Sequence, residues 1–300
     1  MRASKLLPAP LRRRVFDVLP VEARRALLYQ RAYGSFPRVR LPRTFSEKLN
    51  WRVLRDRRPQ LVEACDKLAS KEVATAAGVE PARTLWSGTD LAELASVDLG
   101  ERWVLKPNHR SGGIVHFGSG RADPDALAPV VRGWLDVGAE ELRRGEWAYG
   151  RVRRLLVAEE RLGTPGEDLV DLKVHVFDGE PVLVQTHHDR FEDHRVHYYR
   201  PDWTPVAVNL HSVGEADLVP PPEHLDEVLE AASRLGAGWD YARVDLYDEP
   251  EGVRFGELTV YPGSGITDFR QDAWLDRELG ERWTLPRAAV AASTAARRHG

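Results

Sequence analysis

The stretch of sequence that decides the fold runs from Tyr241 to Gly265 and reads YARVDLYDEPEGVRFGELTVYPGSG. Apolar and polar side chains alternate in both halves, which predicts two half-buried strands, and residues 248–252 (DEPEG) predict the turn between them. A turn centred near Glu251 places Asp245 directly opposite Glu257, with their Cβ atoms about 5 Å apart. Two carboxylates at that distance repel each other unless a divalent cation lies between them or the pKa of one of them is raised.

The same register places Arg243 opposite Thr259 and leads into a Gly-rich turn, residues 262–265 (PGSG). Backbone N–H groups in such a turn can bind an anion. A charged face on a hairpin is more often the solvated face of a sheet, and the carboxylate pair alone does not exclude that interpretation. The convergence of an acidic pair, an arginine and an anion-binding turn at one strand end favours a metal and phosphate site.

The composition is that of a soluble protein with two structural units. The chain of 300 residues exceeds the usual size of one domain, and 42% of its residues are hydrophobic and 30% charged. No run approaches the length of a membrane span, and the N-terminus lacks the apolar segment of a secretory signal, so we expect a cytoplasmic protein. The single cysteine, Cys65, cannot form an internal disulfide, which agrees with a reducing compartment.

The N-terminal region is strongly basic although the net charge of the chain is −3. Residues 1–43 hold 11 lysines and arginines but only two acidic residues, Asp17 and Glu22. Such an arm can contact an anionic membrane surface or an acidic polymer, whereas a solvated helix face is the more ordinary explanation. No aromatic residues are interleaved with the basic ones in the manner of a nucleic-acid surface, so no nucleic-acid partner is expected.

A second candidate site follows an apolar strand, Trp103–Pro107, in which Lys106 is the penultimate residue. The loop after it, Asn108–Gly113, is polar and ends in two glycines. A strand, a lysine and a Gly-rich loop are typical of phosphate binding, although a simple hairpin turn explains the glycines equally well. The chain has 37 arginines but only six lysines, which suggests that the remaining lysines serve as compact charges for phosphate.

The remaining pattern predicts further helices and strands. Helices are expected over residues 11–33, with a break at Pro20, and over residues 65–77, 89–94, 123–143, 223–235 and 288–300. Another helix is expected to start at Thr44, where Thr44 and Glu47 can form a capping box. Strands are expected over residues 83–86, 114–117, 154–160, 169–177 and 181–186, the last two joined by a turn at Asp178-Gly179.

Histidines are concentrated in one region: five of the ten lie between His175 and His197. Their spacing matches no zinc motif, and the only cysteine lies far away in the sequence. A transition-metal site is therefore not favoured. Polar substrate lining and ordinary surface or core histidines remain the two interpretations.

Together these segments resemble the ATP-grasp superfamily, and within it the TupA-like branch, of the teichuronopeptide-biosynthesis type. The resemblance extends from about Arg43 to Leu285. The segments that carry it are TFSEKLNW (44–51), CDKLASKE (65–72), WVLKPNHRSGG (103–113), DLKVHVFDGEP (171–181), DRFEDHR (189–195), RVDLYD (243–248) and FGELTVYPGSG (255–265).

The resemblance implies an α+β ATP-grasp fold, in which two α/β lobes with antiparallel sheets grip ATP. We expect a basic helical N-terminal arm over residues 1–60. The N-terminal region and small lobe would follow over residues 61–158, and the large lobe with the metal site over residues 159–300.

The resemblance also implies the roles of individual residues. The nucleotide-binding residues would be Lys67, Lys106, Ser111, Gly112, Gly113, Glu159, Glu160, Asp171 and Lys173. Ligands of Mg²⁺ would be Asp245, Glu257 and Thr259, and the catalytic side chains would be Lys106, Arg243 and Arg110. The position of Thr259 usually holds Asn in the superfamily, which leaves a second Mg²⁺ in doubt, and Lys71 stands where this branch often has Arg.

Substrate contacts are expected from polar residues around this site, although a structural role explains each of them equally well. They are His109, His187, Arg190, Gly263, Ser264 and Gly265.

The activity implied is that of an ATP-dependent carboxylate–amine ligase, which forms an amide through an acyl phosphate. The substrates would be small molecules, such as an amino acid, a sugar or a uronic acid, in cell-surface polysaccharide or specialised-metabolite biosynthesis. Two alternatives remain at this point. One is an ATP-dependent carbohydrate kinase or phosphotransferase on the same fold, and the other is a non-catalytic module associated with a glycosyltransferase in polysaccharide assembly.

Overall fold

The chain forms two β-sheets and ten α-helices within the residues that the computed structural model describes. Those residues are 9–136, 139–164, 169–188, 195–208, 214–215, 218–266, 269 and 272–286. The helices are α1 (Ala9–Val18), α2 (Val21–Tyr33), α3 (Phe45–Arg55), α4 (Gln60–Cys65), α5 (Lys67–Ala76), α6 (Leu91–Leu94), α7 (Pro124–Val130), α8 (Ala139–Arg143), α9 (Leu225–Gly236) and α10 (Ala273–Arg282). Short 3₁₀ turns span Trp147–Arg151 and Pro262–Gly265.

The strands divide into a large sheet and a small sheet. They are β1 (Glu80–Pro81), β2 (Thr84–Gly88), β3 (Trp103–Pro107), β4 (His116–Gly118), β5 (Leu156–Glu160), β6 (Asp171–Phe177), β7 (Glu180–His188), β8 (Arg195–Tyr199), β9 (Gly214–Glu215), β10 (Ala242–Glu249) and β11 (Gly252–Thr259). The large sheet has the order β1-β11-β10-β6-β7-β8-β9 and the small sheet the order β2-β5-β3-β4. Only the outer pairs of the large sheet, β1–β11 and β8–β9, are parallel. The expected α+β architecture with two antiparallel sheets is thus confirmed.

The hairpin β10–β11 has the register that the alternating sequence predicts. Asp245 pairs with Glu257 and Arg243 with Thr259, and a bulge follows between Asp245 and Leu246. On its other side β10 pairs with β6, so that Asp245 also lies beside Lys173. Asp245 therefore lies on an inner strand with a paired strand on each side, and Glu257 lies on β11, the neighbour of the edge strand β1.

One face of the large sheet is entirely apolar where it meets α9. Val174, Val244 and Leu258 pack there against Val228 and Leu235, and all five are buried. This burial fixes which side chains of each strand point inward, because alternate residues of a strand face opposite sides. The charged residues of the same strands are thereby directed to the other face.

Helices α3 and α10 cover part of that other face. Phe45 and Leu279 pack against Phe177 and Tyr241 at one end of the central strands. The opposite end, where β6 begins at Asp171, carries the charged side chains. Helix α3 thus belongs to the core even though it lies in the region expected to form the N-terminal arm.

Local signals set the helix boundaries in the first part of the chain. The break at Pro20 separates α1 from α2, as predicted. Thr44 and Glu47 form a complete capping box at the start of α3, also as predicted. No helix among the described residues is long and apolar enough to cross a membrane.

Two predicted helices were wrong in extent. The pattern over residues 123–143 is interrupted after α7, which contains Pro129, and Gly133 then adopts a φ of 77° that a continuous helix does not allow. The pattern over residues 65–77 is split because Asp66 is extended and caps α5 with its carboxylate. The strand expected over residues 114–117 is found at His116–Gly118. The C-terminal helix expected over residues 288–300 lies outside the described residues.

We predict that Gly280→Ala weakens the packing of α10 on the start of α3. A Cβ atom at Gly280 would lie 2.2 Å from the carbonyl oxygen of Arg43 and 2.6 Å from Cα of Thr44. Alanine favours a helix over glycine by about 1 kcal/mol, but the contacted atoms are backbone and cannot rotate away. We therefore expect a net loss of about 1–3 kcal/mol in the free energy of unfolding, measured by urea titration. Glu281→Ala, an exposed change on the same helix, is the control, and equal stability of both variants would contradict the prediction.

Candidate active site

The centre of the candidate site is a buried carboxylate between two cations on the large sheet. Asp245 accepts hydrogen bonds from Arg243 at 2.7 and 2.8 Å, and its Oδ2 lies 2.6 Å from Nζ of Lys173. Lys173 also donates to Asp171 at 2.5 Å. Burial by itself would raise the pKa of the Asp245 carboxyl, but the charges of Arg243 and Lys173 outweigh it and hold that pKa well below its usual range.

Glu257 completes the acidic pair and is less buried than Asp245. Its side chain is 32% exposed and lies 3.6 Å from Nζ of Lys67, so it can still reach a ligand. Lys67 also donates to the carbonyl oxygen of Arg110 at 2.7 Å, which links α5 to the loop after β3. Thr259 accepts a hydrogen bond from Arg243 at 3.1 Å.

The donor chemistry of this cluster suits Mg²⁺. Mg²⁺ in phosphate sites is bound through one or two carboxylates, while waters and substrate phosphates supply the other ligands. Asp245 and Glu257 provide two such carboxylates. No group of three or more acidic, histidine or cysteine side chains with metal-ligand geometry occurs in the described part of the chain. A metal would therefore share Asp245 with Arg243 and Lys173 and depend on a phosphate ligand for the rest.

A second charged cluster lies where the small sheet meets α5. Glu159, at the end of β5, pairs with both Lys106 of β3 and Lys71 of α5, the latter at 2.6 Å. Lys71 is fixed further by the carbonyl of Ala82 at 2.7 Å and the hydroxyl of Thr84 at 3.0 Å. Burial favours a higher pKa for Glu159, but Lys106 and Lys71 together lower it, so the carboxylate is charged. Burial lowers the pKa of Lys71, and the negative charge of Glu159 offsets part of this decrease.

The neighbouring Glu160 points away from these lysines and ties the two sheets together. Its carboxylate lies 2.7 Å from Arg254 of β11 and accepts a hydrogen bond from the backbone N–H of Arg83 at 2.8 Å. Arg254 also donates to the carbonyl of Pro81 at 3.2 Å. The two successive glutamates therefore have different partners, and Glu160 links the small sheet to the large sheet.

The loop after β3 is anchored at its base. Asn108 is fully buried and donates to Asp66 at 2.9 Å. His109 is also buried, with Nε2 3.0 Å from the carbonyl of Asp136, and burial lowers the pKa of its imidazole. The backbone N–H of Ser111 donates to Glu141 at 3.0 Å.

The glycines of the same loop lie beyond this anchor on the surface of the protein. Gly112 and Gly113 are exposed and both have positive φ angles, 85° and 72°. An L-residue with a side chain rarely adopts this conformation, so the glycines permit a backbone that lines a phosphate. Arg110 beside them lies 3.9 Å from Glu141. This loop therefore combines a buried base with an exposed tip of two glycines.

Sequence reasoning missed the partner of the Gly-rich turn, which is Arg25 of α2. Arg25 is completely buried. It donates to the hydroxyl of Ser264 at 3.1 Å, to the carbonyl of Ser264 at 2.6 Å and to Asn50 at 2.6 and 2.9 Å. Asn50 in turn donates to the carbonyl of Gly265 at 2.9 Å. No sequence signal distinguishes Arg25 from the other arginines of the arm, since its partner in the turn, Ser264, lies more than 200 residues away.

The hydrogen bonds of Arg25 and Asn50 to Ser264 and Gly265 form a clamp that holds the turn in an unusual conformation. Gly263, Ser264 and Gly265 all have positive φ angles of 51°, 54° and 62°, and such a run costs free energy at the serine. Ser264 and Gly265 are buried. The structure thus places both residues against the N-terminal helices, while Gly263 remains partly exposed.

Sequence reasoning also missed a buried acidic residue beside this clamp, Glu146. Glu146 is 3% exposed, and burial raises the pKa of its carboxyl to about 7, against the opposing effects of a hydrogen bond from Ser264 and the charge of Arg25. The sequence shows it only as one acidic residue in a loop after α8.

The structure thus brings most of the sequence-predicted residues together. Asp171, Lys173, Arg243, Asp245, Glu257, Thr259 and Lys67 form one cluster, and Lys106, Glu159 and Lys71 form the second. His187 pairs with Asp171 across β6 and β7 and so adjoins the first cluster. His109 contacts the carbonyl of Asp136 instead, and Ser264 and Gly265 are bound by Arg25 and Asn50. Arg190 lies outside the described residues.

Comparison with known proteins places this arrangement in a class. The class is that of the ATP-grasp enzymes. Within that class the chain belongs to the family described as TupA-like ATPgrasp, whose model matches residues 47–284. A search among curated proteins found no match.

The solved structures that match this chain share little sequence with it. A D-alanine–D-alanine ligase from Bacillus anthracis is 15% identical over 78% of this chain and 68% of its own, with a TM-score of 0.44. The ATP-grasp ligase PsnB, complexed with a minimal precursor, is 15% identical over 79% of this chain and 63% of its own, with a TM-score of 0.37. The D-cycloserine synthetase DcsG is 16% identical over 77% of this chain and 70% of its own, with a TM-score of 0.39.

We predict that Arg25→Met lowers the free energy of unfolding by about 2–4 kcal/mol, because the buried oxygens of Asn50 and Ser264 lose their donors. Arg31→Met, an exposed change on the same helix, should alter stability by less than about 0.5 kcal/mol. Urea unfolding followed by tryptophan fluorescence measures both. Equal effects of the two substitutions would show that the clamp contributes nothing.

A further prediction concerns the pH dependence of stability. Because the pKa of Glu146 is raised in the folded state from 4.5 to about 7, its contribution to stability is complete below pH 4.5 and is lost as the pH rises to about 7. Relative to Glu146→Gln, which cannot titrate, the wild type should therefore lose roughly 3 kcal/mol over this interval and no more above it. Urea unfolding of both proteins across the interval tests this, and a difference that does not change with pH would refute it.

Proposed function

We propose that this protein activates a substrate carboxylate with ATP and joins it to an amine through an acyl phosphate. The observation that carries the proposal is the buried cluster in which Asp245 is opposed by Glu257 and held by Arg243 and Lys173. Phosphoryl transfer is catalysed mainly by positioning and charge neutralisation. The cluster supplies both, and the reaction requires no nucleophilic side chain.

The lysines of the second cluster contact the nucleotide phosphates in this proposal. Lys106 turns from Glu159 to the triphosphate, and Lys71 keeps Glu159 anchored when it does so. Lys67 approaches the same phosphates from α5, and the exposed tip of the loop at Gly112 and Gly113 covers them. Asp245 and Glu257 would hold Mg²⁺, which would supply positive charge to the phosphates.

The reaction proceeds in two steps. A carboxylate oxygen of the substrate attacks the γ-phosphorus, the bond to the β–γ bridging oxygen breaks, and ADP leaves. The amine nitrogen then attacks the acyl carbon, the bond from that carbon to the phosphate oxygen breaks, and inorganic phosphate leaves. The proton of the amine is released to solvent.

Arginine and histidine side chains near the cluster suit an acidic substrate. The backbone of Arg110 contacts Lys67, while its side chain lies 3.9 Å from Glu141, and His187 lies across from Asp171. We propose an amino acid, a sugar or a uronic acid as substrates, in cell-surface polysaccharide or specialised-metabolite biosynthesis. Basic groups at this position recognise the carboxylate that is to be activated.

The experiment is to incubate the purified protein with Mg²⁺ and ATP and a panel of acids and amines, with products identified by mass spectrometry. Amide formation that depends on both substrates supports the ligase, as does a hydroxamate when hydroxylamine replaces the amine. A phosphorylated sugar hydroxyl without amide would identify a kinase instead. ATP binding without any product would favour a non-catalytic module.

We predict that Glu257→Gln lowers the rate of ADP release by about 100-fold or more, because one of the two carboxylates for the metal loses its charge. Glu251→Gln, an exposed change in the turn of the same hairpin, is the matched control and should leave the rate unchanged. Thermal unfolding confirms that both variants are folded. Equal activity of the Glu257 variant and wild type would exclude a catalytic role for the acidic pair.

A further inference from the structure

The N-terminal helices expose apolar side chains to an unusual degree. Nine large hydrophobic residues of the described chain are exposed, and five of them lie between residues 15 and 41. Single exposed hydrophobic residues are normal on a protein surface, but a concentration in one segment marks an interaction site. The five are Val15, Val18, Leu27, Phe36 and Leu41, of which Val18 and Leu41 are 81% and 79% exposed.

One of these side chains, Leu27, lies on the outer side of a helix whose inner side is firmly packed. On α2, Arg25 and Tyr29 are buried, whereas Leu27 and Arg31 are exposed and lie four residues apart on the opposite face of the helix. The contacts of Arg25 with Asn50 and Ser264 hold the helix on the body of the protein. The exposed face is therefore a fixed surface.

The same segment of the chain carries unpaired positive charge. Arg14, Arg31 and Arg40 form no ion pair within the described part of the chain, and all three are exposed. The two acidic residues of the segment are already neutralised: Asp17 pairs with Arg143 at 2.6 Å, and Glu22 lies 3.6 Å from Arg55. Positive charge and apolar area thus occur together.

We propose that this outer arm surface, comprising Arg14, Val15, Val18, Leu27, Arg31, Phe36, Arg40 and Leu41, docks on an anionic lipid bilayer. The arginines contact headgroup phosphates, and the apolar side chains enter the interface between headgroups and acyl chains. A bilayer explains both features. An acidic polymer in water would attract the arginines but would leave Phe36 and Leu41 exposed.

The test is co-sedimentation of the full chain with vesicles at two salt concentrations. One preparation is phosphatidylcholine alone, and in the other phosphatidylglycerol replaces about a third of the lipid, a proportion chosen to give a clear negative surface potential. Wild type should bind the anionic vesicles, bind the neutral ones at least tenfold more weakly, and lose affinity as salt screens the charges. Absence of binding to anionic vesicles at low salt would overturn the proposal.

Two double variants separate the charge from the apolar contribution. Arg31→Gln with Arg40→Gln should weaken binding about fivefold for each arginine removed. Phe36→Ser with Leu41→Ser should weaken it at least tenfold at both salt concentrations. The control variant combines Arg121→Gln with Arg132→Gln, two exposed arginines in another part of the chain, and should bind as wild type does.

An acidic polysaccharide, soluble alginate, serves as the competing ligand. If alginate displaces the protein from vesicles and the Phe36/Leu41 variant binds vesicles as wild type does, the surface recognises charge alone and the bilayer proposal fails. If the control variant is impaired as much as the Arg31/Arg40 variant, binding is a property of net charge and the proposal also fails. Unchanged thermal unfolding of all variants ensures that these losses report on the surface.

Discussion

The structure depends on the burial of one carboxylate between two cations. Asp245 lies in the middle of the large sheet, where an isolated charge would be very unfavourable, and it stays ionised because Arg243 and Lys173 contact both of its oxygens. Apolar packing of the opposite sheet face on α9 leaves these side chains no alternative direction. The fold therefore prepares a site of concentrated charge before any ligand arrives.

The two charged clusters are joined by helix α5. Lys67 reaches Glu257 of the large sheet, and Lys71, one helical turn later, reaches Glu159 of the small sheet. Residues four apart lie on the same face of a helix, so one short helix contacts both halves of the site. Glu160 and Arg254 add a second link between the sheets. Relative movement of the sheets must accordingly rearrange ion pairs at both places.

The sequence was sufficient for the parts of the site that lie on regular strands. Alternation with a period of two, together with one recognisable turn, specifies the register, and this is why Asp245 could be paired with Glu257 without a structure. The helix over residues 123–143 was wrong because apolar spacing continues through Pro129 and Gly133, where the backbone cannot remain helical. The clamp from Arg25 to Ser264 was beyond sequence reasoning, because nothing local marks one arginine among several as buried. The split at Asp66 could have been found, since an aspartate before a helical run is a common cap.

The pairing of Glu159 with Lys106 and Lys71 has a consequence for ligand discrimination. An internal carboxylate that occupies two lysines acts as a tethered competitor, so any incoming anion must be attractive enough to displace it. A monoanion gains too little from one lysine to do so, whereas a polyphosphate contacts several cations at once and offsets the exchange. Under the proposed function, this ion-pair arrangement would therefore favour ligands that carry several negative charges over small monoanions.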